Sequence, residues 1–145
     1  MTHAVTPAEE LQRTWALAAA DADAAMDLFY ANLFANAPEV RPLFDNATMP
    51  EQKRKLAAAI SLVVKSPDLP DSITTALQDM GRRHVGYGVE DRHYDAVGAA
   101  LIQTLDTALG DAFTPAARDA WTGAYGAISG QMKTGAAAGS THAAQ

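Results

Sequence analysis

The chain has 145 residues, no cysteine and a formal net charge of −6, which suits one domain and excludes several classes of protein. Without cysteine, disulfides, thiolate metal sites and cysteine nucleophiles are excluded. The acidic balance argues against binding to nucleic acid or to anionic lipid. The first ten residues resemble no signal peptide, and no apolar run reaches the roughly 18 residues of a membrane helix, so we expect a cytoplasmic protein.

The apolar periodicity of the first half predicts helices, and no stretch alternates with the period of a strand. Thr6, Pro7 and Glu9 form a capping box that opens the first helix. A second helix runs from about 21–23 to 35, and the prolines at 38 and 42 then allow only a short turn. After a loop at 45–48, a second capping box opens a helix that ends near residue 65.

The second half continues the helical pattern. Residues 66–70 carry two prolines and break the chain, and the next helix runs from 71 or 72 through His84. Another helix spans about 91–109, and the last begins at 114–115. Beyond residue 133 the sequence lacks an apolar pattern. We therefore predict an all-α domain over residues 1–134 and a disordered tail over 135–145.

His84 is the most informative residue, because it shares a helical stripe with three apolar residues, Ile73, Leu77 and Met80. A buried imidazole without a partner costs several kcal/mol, on the order of 2–7. A haem iron would supply a partner, and so would a backbone carbonyl in an ordinary core. On spacing alone, the core histidine is the favoured interpretation.

Other polar side chains also interrupt apolar faces. Tyr30 lies within the stripe of the second helix, and Gln52 precedes Leu56 by four residues on the next long helix. Two hydrogen-bond donors from two helices could converge on one ligand, although each residue alone is more often part of the core or its rim. Phe44 could stack on a flat ligand or fill the core, and Lys55 could pair with an anionic group or with solvent.

Several enzyme templates are missing from the sequence. It contains no glycine-rich phosphate loop, no HExxH motif and no G-x-S-x-G elbow. His84 and His93 are nine residues apart, which does not place them on one helix face. Carboxylates are plentiful, but they fall on the expected outer faces.

Five segments in order resemble bacterial globins over about residues 6–132. The run from Gly81 to Val89 resembles the proximal-histidine segment, and the run from His93 to Leu101 resembles the helix that follows it. The segments 28–44, 52–56 and 120–126 resemble the distal helix with its corner, the start of the distal-pocket helix and the last helix. The match is closest to single-domain globins related to the globin domain of flavohaemoglobins, of the Vitreoscilla and Hell's Gate types.

The resemblance implies a three-over-three helical sandwich around haem b. It implies His84 as the axial iron ligand and Tyr30 and Gln52 as the distal donors. It further implies Leu56 as an apolar wall and Tyr94 as a buttress of His84. The residues expected to contact the haem are Phe44, which stacks on it, Lys55, which pairs with a propionate, and Leu56, Met80, His84, Val89, Tyr94 and Val97.

The same resemblance implies a function, with alternatives. The first is reversible, high-affinity binding of oxygen, and also of NO and CO. The second is a nitric-oxide dioxygenase that uses a separate flavin or NAD(P)H reductase. The third is a gas sensor or a haemless interaction module. In flavohaemoglobins a glutamate on the last helix helps to activate the proximal histidine, but here no acidic residue follows Asp119. Enzymatic turnover is therefore left open.

Overall fold

The computed structural model describes residues 6–44, 48–65, 70–86 and 91–143. Within these ranges every regular element is a helix and none is a strand, which confirms the all-α prediction. The long helices are α1 (Pro7–Ala19), α2 (Ala22–Asn36), α3 (Met49–Lys65), α4 (Asp71–Gly86), α5 (Asp91–Leu109) and α6 (Pro115–Ala143). Two short 3₁₀ helices, Pro38–Phe44 and Gly110–Ala112, follow α2 and α5.

Local sequence signals explain where the helices begin. The hydroxyl of Thr6 accepts a hydrogen bond from the Glu9 amide at 3.1 Å, and the Glu9 carboxylate accepts one from the Thr6 amide at 3.2 Å. Asp21 and Thr114 cap α2 and α6 through single side-chain oxygens. These two caps satisfy amides that a helix leaves without partners. Helix α5 ends at Gly110, which adopts a φ of +55°, a conformation that favours glycine.

The helices pack in pairs around two separate apolar clusters. Helix α2 lies along α5, α1 packs against α6, and α3 contacts both α1 and α2. The main cluster lies among these helices and includes Trp15, Met26, Phe29, Leu33, Leu105 and Trp121. The second cluster lies where α4 packs on α6, and it contains Ile73, Leu77, Tyr94 and Met132, with Met80 and Ile128 at its edge.

Within the described residues, α6 runs past Lys133 into the segment for which the sequence predicts a disordered tail, and that tail stays a prediction. Helix α6 continues through Ala143, and Gly135 is buried against the backbone of Gln78. The sequence after Lys133 is rich in alanine, which has the highest helix propensity. It shows no apolar stripe because the contact there is made by backbone and small residues rather than by large side chains.

In the described part of the chain, no helix combines the length and the apolar character that spanning a membrane requires.

Candidate functional site

His84 lies in the last turn of α4, partly buried, with its ring held by the helix itself. Its Nδ1 lies 2.6 Å from the carbonyl oxygen of Met80, one turn earlier. Because a carbonyl only accepts hydrogen bonds, this contact requires the proton on Nδ1 and leaves the lone pair on Nε2 of a neutral ring. A metal-ligating histidine is commonly oriented in this way. A core histidine can use the same bond, so the contact with Met80 is compatible with both interpretations.

The charge state of His84 also suits a ligand. Burial lowers the pKa of the imidazole below its usual value, and the neighbouring Arg83 guanidinium acts in the same direction. The hydrogen bond to Met80 partly opposes these effects. The ring is therefore neutral near pH 7, which is the form that binds a metal ion.

Tyr30 lies on α2 at the centre of an aromatic group. Its side chain is 6% exposed, and its ring meets Phe29 and Phe44 edge to face at centroid distances of 4.9 and 5.6 Å. Phe34 completes the group at 5.9 Å, and the Arg41 guanidinium lies over Phe34. The prolines predicted a short helical turn ending near Phe44, and the 3₁₀ helix Pro38–Phe44 that forms there brings Phe44 back against α2.

The Tyr30 hydroxyl is a protonated donor. Burial raises the pKa of this phenol to about 12, so the group keeps its proton at neutral pH. Among the residues that the structure describes, none forms a hydrogen bond with this hydroxyl. The hydroxyl oxygen is not among the buried side-chain atoms that lack a partner, so the tip of this otherwise buried phenol is accessible to a bound ligand.

Further predicted residues lie along the edge of the main cluster. Phe44, Leu56 and Val97 are partly buried and pack against it, from the 3₁₀ helix, α3 and α5. Gln52 is partly buried one helical turn before Leu56. Tyr30 belongs to the same cluster. The structure therefore places Tyr30, Phe44 and Leu56 in one apolar cluster, with Gln52 one turn from Leu56 on α3.

Residues predicted for the proximal side belong to the second cluster. Tyr94 is buried there beside Ile73 and Leu77, with Met80 at the edge. The apolar stripe of α4 that carries His84 therefore faces this cluster. Helix α4 packs on α6 and makes no comparable contact with α2 or α3 in the described ranges.

Two predicted residues are not brought into this arrangement. The Lys55 side chain is 65% exposed and pairs with Glu51 at 3.5 Å, so it lies in a surface ion pair. Val89 lies outside the described residues. A groove of about 670 Å³ between α5 and α6 is lined by residues such as Ile102 and Thr122 and by none of those predicted for the site.

The structure adds residues that sequence reasoning missed or placed only in the core. The Tyr125 hydroxyl donates to the Tyr94 carbonyl oxygen at 2.6 Å and ties α6 to the start of α5. His93, beside Tyr94, is also buried. Gly81 and Gly135 lie where α4 and α6 meet. The helical pattern placed Tyr125 one turn after Trp121, but no sequence signal identifies the partner of its hydroxyl.

The donor set and the walls fit a haem. Helix α4 offers a neutral imidazole whose Nδ1 is fixed by a carbonyl, which is the arrangement expected of an axial ligand. The main cluster offers an aromatic and aliphatic wall with the phenol of Tyr30 among apolar neighbours. A flat apolar cofactor with one open metal position matches apolar surfaces that carry few polar groups.

Comparison with known proteins gives a consistent result. A sequence model of the family described as Globin matches residues 27–132. A flavohemoprotein of Bordetella pertussis is 32% identical over 102 residues, which are 69% of this chain and 25% of that protein. A flavohemoprotein of Deinococcus radiodurans is 34% identical over 106 residues, 72% of this chain and 26% of that protein. The chain spans about a quarter of the length of these curated relatives.

Proposed function

Because this chain belongs to the globin family, we propose that it binds one haem through His84 and reversibly binds oxygen, NO or CO on the opposite face. The observation that carries the proposal is the hydrogen bond from His84 Nδ1 to the Met80 carbonyl, found in a chain whose residues 27–132 match the globin family. It fixes the ring orientation and the tautomer in the form that offers Nε2 to a metal. The haem would supply the iron to which the gas binds.

The role of the proximal side is to hold the imidazole neutral and correctly turned. Burial and Arg83 both favour the neutral ring, so no proton competes for the ligating nitrogen near pH 7. The partner of Nδ1 is an uncharged carbonyl rather than a carboxylate. A carboxylate partner would make the ring a stronger electron donor, so this side favours reversible gas binding over vigorous peroxidase-like chemistry.

The role of the distal side is to donate hydrogen bonds to a ligand that gains negative charge. The Tyr30 hydroxyl stays protonated because burial raises its pKa to about 12. Gln52 offers amide donors from α3. A hydrogen bond to a charged acceptor contributes about 1.5–3 kcal/mol, so the two donors together would tighten oxygen binding by about a hundredfold to ten-thousandfold. We propose high oxygen affinity with slow release.

A visible spectrum tests the cofactor and its ligand. We expect the purified protein to show a Soret band that shifts on addition of CO. In His84→Ala the band should disappear and return when imidazole is added, because free imidazole then fills the vacated ligand position. A band that persists in His84→Ala without imidazole would contradict the assignment of the ligand.

Stopped-flow measurement of oxygen release tests the distal donor. Tyr30→Phe should speed oxygen dissociation by about tenfold or more, which corresponds to the loss of one charge-assisted hydrogen bond. Thr122→Val is the control, since it removes a hydroxyl that donates to the Arg118 carbonyl on the exposed face of α6. Equal off-rates in the wild type and Tyr30→Phe would rule out Tyr30 as a donor.

A nitric-oxide dioxygenase is the second candidate. Its support is that the matched relatives are flavohemoproteins, whose name denotes both a flavin and a haem, and that this chain spans about a quarter of their length. Turnover would require electrons from a separate flavin or NAD(P)H reductase. Consumption of NO by the haem-loaded protein should therefore depend on added reductase. A protein that takes up no haem would instead favour a haemless interaction module.

A further inference from the structure

The helix that carries His84 rests on one neighbour. Helix α4 packs along α6, and its contacts with the other helices are far fewer. The contact falls on the part of α6 from Ile128 to Gly135. The position of His84 therefore depends on the second half of α6.

At this contact the two backbones approach without intervening side chains. A Cβ added to Gly81 would overlap the carbonyl of Met132, and a Cβ added to Gly135 would overlap the carbonyl of Gln78. In both cases the obstructing atoms belong to backbone, which cannot rotate away as a side chain can. Each helix thus has one glycine that packs directly against the backbone of the other helix, and only glycine fits at either position.

A polar contact fixes the register of the same crossing. The Gln78 amide nitrogen donates to the Gln131 side-chain oxygen at 2.8 Å. Gln78 also faces Gly135 through its backbone, one turn along α6 from Gln131. Sliding or rotating α4 would break this bond and drive a carbonyl into the opposite helix. The crossing therefore permits one placement of α4.

His84 follows Gly81 by three residues, and Met80, whose carbonyl orients the imidazole, directly precedes Gly81. We propose that Gly81 and Gly135 act as positioning residues for His84, setting the distance and the angle at which its imidazole reaches the iron. The part of this inference that concerns the iron rests on the proposed function. The part that concerns the crossing of α4 and α6 does not depend on it.

The chain offers a matched control on the same helix. Gly130 lies five residues before Gly135 in α6, and an added Cβ there meets nothing within 4 Å. Alanine favours helix over glycine at both positions, so Gly130→Ala and Gly135→Ala share their effect on helix propensity. They differ only in the collision with α4.

Hydrogen exchange of the haem-free chain tests the crossing. We expect the α4 amides to exchange about tenfold faster or more in Gly135→Ala, because local opening of α4 becomes easier. In Gly130→Ala exchange should stay at the wild-type rate or slow down, and α1 and α2 should stay protected in both variants. If Gly135→Ala fails to fold, Gln131→Met removes the bond from Gln78 without a collision and should give a smaller change in α4.

The haem-loaded protein tests the positioning of His84. In Gly135→Ala we expect faster haem release to an excess of acceptor apoprotein and a shifted iron–histidine stretching frequency, with both unchanged in Gly130→Ala. Equal α4 exchange in the two variants would overturn the inference. Faster α4 exchange with unchanged haem release and frequency would also overturn it. If the wild type takes up no haem, the proposed function fails, whereas the exchange experiment still decides the crossing.

Discussion

Single polar atoms tie together helices that are distant in the sequence. The Trp121 indole donates to the Thr14 hydroxyl at 2.7 Å, and that hydroxyl donates to the Glu10 carbonyl at 2.6 Å. The Trp15 indole donates to Ser61 at 2.9 Å, and the two indole rings lie 6.2 Å apart. These bonds tie both α6 and α3 to α1.

Trp121→Phe should lower the free energy of unfolding by about 2–4 kcal/mol, because it removes a buried hydrogen bond and leaves space in the main cluster. Trp15→Phe should cost less, since its bond to Ser61 is only partly buried. Urea denaturation followed by far-ultraviolet circular dichroism measures both. A larger loss in Trp15→Phe would contradict the ranking.

The buried phenol of Tyr30 predicts alkaline sensitivity. Its pKa is raised from the usual 10.0 to about 12 in the folded chain, so between these values the folded state holds more protons than the unfolded state. Stability contributed by the neutral phenol is therefore full below pH 10 and is lost as the pH rises toward 12.

A Tyr30→Phe variant should lose less stability than the wild type when the pH rises from about 9 to about 11.5. The expected difference is on the order of 2 kcal/mol, the equivalent of the pKa shift. Urea titrations of the haem-free proteins at the two pH values measure it. Parallel losses in the two proteins would show that the phenol ionises in the folded chain as it does in water.

For individual residues, the sequence predicted which side chains face inward but not which groups they contact. The helical period placed Tyr30, Trp121 and His84 on apolar faces, and all three are buried or partly buried. It gave no sign that Thr14 is fully buried as the acceptor for Trp121. Periodicity reports the side of a helix, whereas a hydrogen-bond partner depends on a helix elsewhere in the chain. The ligand roles of His84, Tyr30 and Gln52 stay predictions.

Among the helices, boundaries set by neighbouring residues were predictable. The capping box at Thr6, the cap at Thr114 and the end of α5 at Gly110 follow from a few adjacent residues, and the structure confirms them. The extent of α6 beyond Lys133 was not predictable in this way. Its contact with α4 is made through glycine and backbone, which leave no mark on hydropathy.

A hydrogen bond between α2 and α5 allows the pairing of these two helices to be tested. The Asn32 amide donates to the buried Thr104 hydroxyl at 3.1 Å, and that hydroxyl donates to the Ala100 carbonyl at 2.7 Å. Thr104→Val keeps the shape and removes the acceptor. It should destabilise the chain by about 1–2 kcal/mol, since Asn32 then lacks a partner in a partly buried site.

A double-mutant cycle with Asn32→Ala isolates this contact. The loss in the double variant should be smaller than the sum of the two single losses, by about 0.5 kcal/mol or more. Thermal and urea unfolding of the four proteins provide the values. Strict additivity would mean that the two side chains do not stabilise one another.

The globin fold predicted for the chain is confirmed. Its apolar residues form two clusters, and a cofactor could join them. The main cluster and the second cluster are separate, with Tyr30 in one and the stripe of His84 facing the other. A haem between them would join the two. The sequence predicted the ordered set of site residues through its resemblance to globins, but periodicity alone could not have separated one core from two.

Haem should therefore stabilise the chain strongly. With free haem at about a thousand times its dissociation constant, mass action adds roughly 4 kcal/mol to the free energy of unfolding. Differential scanning calorimetry should show a melting temperature that rises with added haem in the wild type and much less in His84→Ala. Equal increases in the two proteins would point to non-specific adsorption of the porphyrin.

The bond between Trp121 and Thr14 joins residues 107 positions apart, and α4 too depends on α6. Helix α6 follows α1 to α5 in the chain and is therefore translated after them. At about 5–20 residues per second, the ribosome needs a few seconds to make it once α5 is complete. Throughout that interval the faces of α1 and α4 that pack on α6 in the folded chain are not covered by it. Until α6 emerges, the nascent chain therefore presents the uncovered apolar faces of these two helices to chaperones and to neighbouring chains.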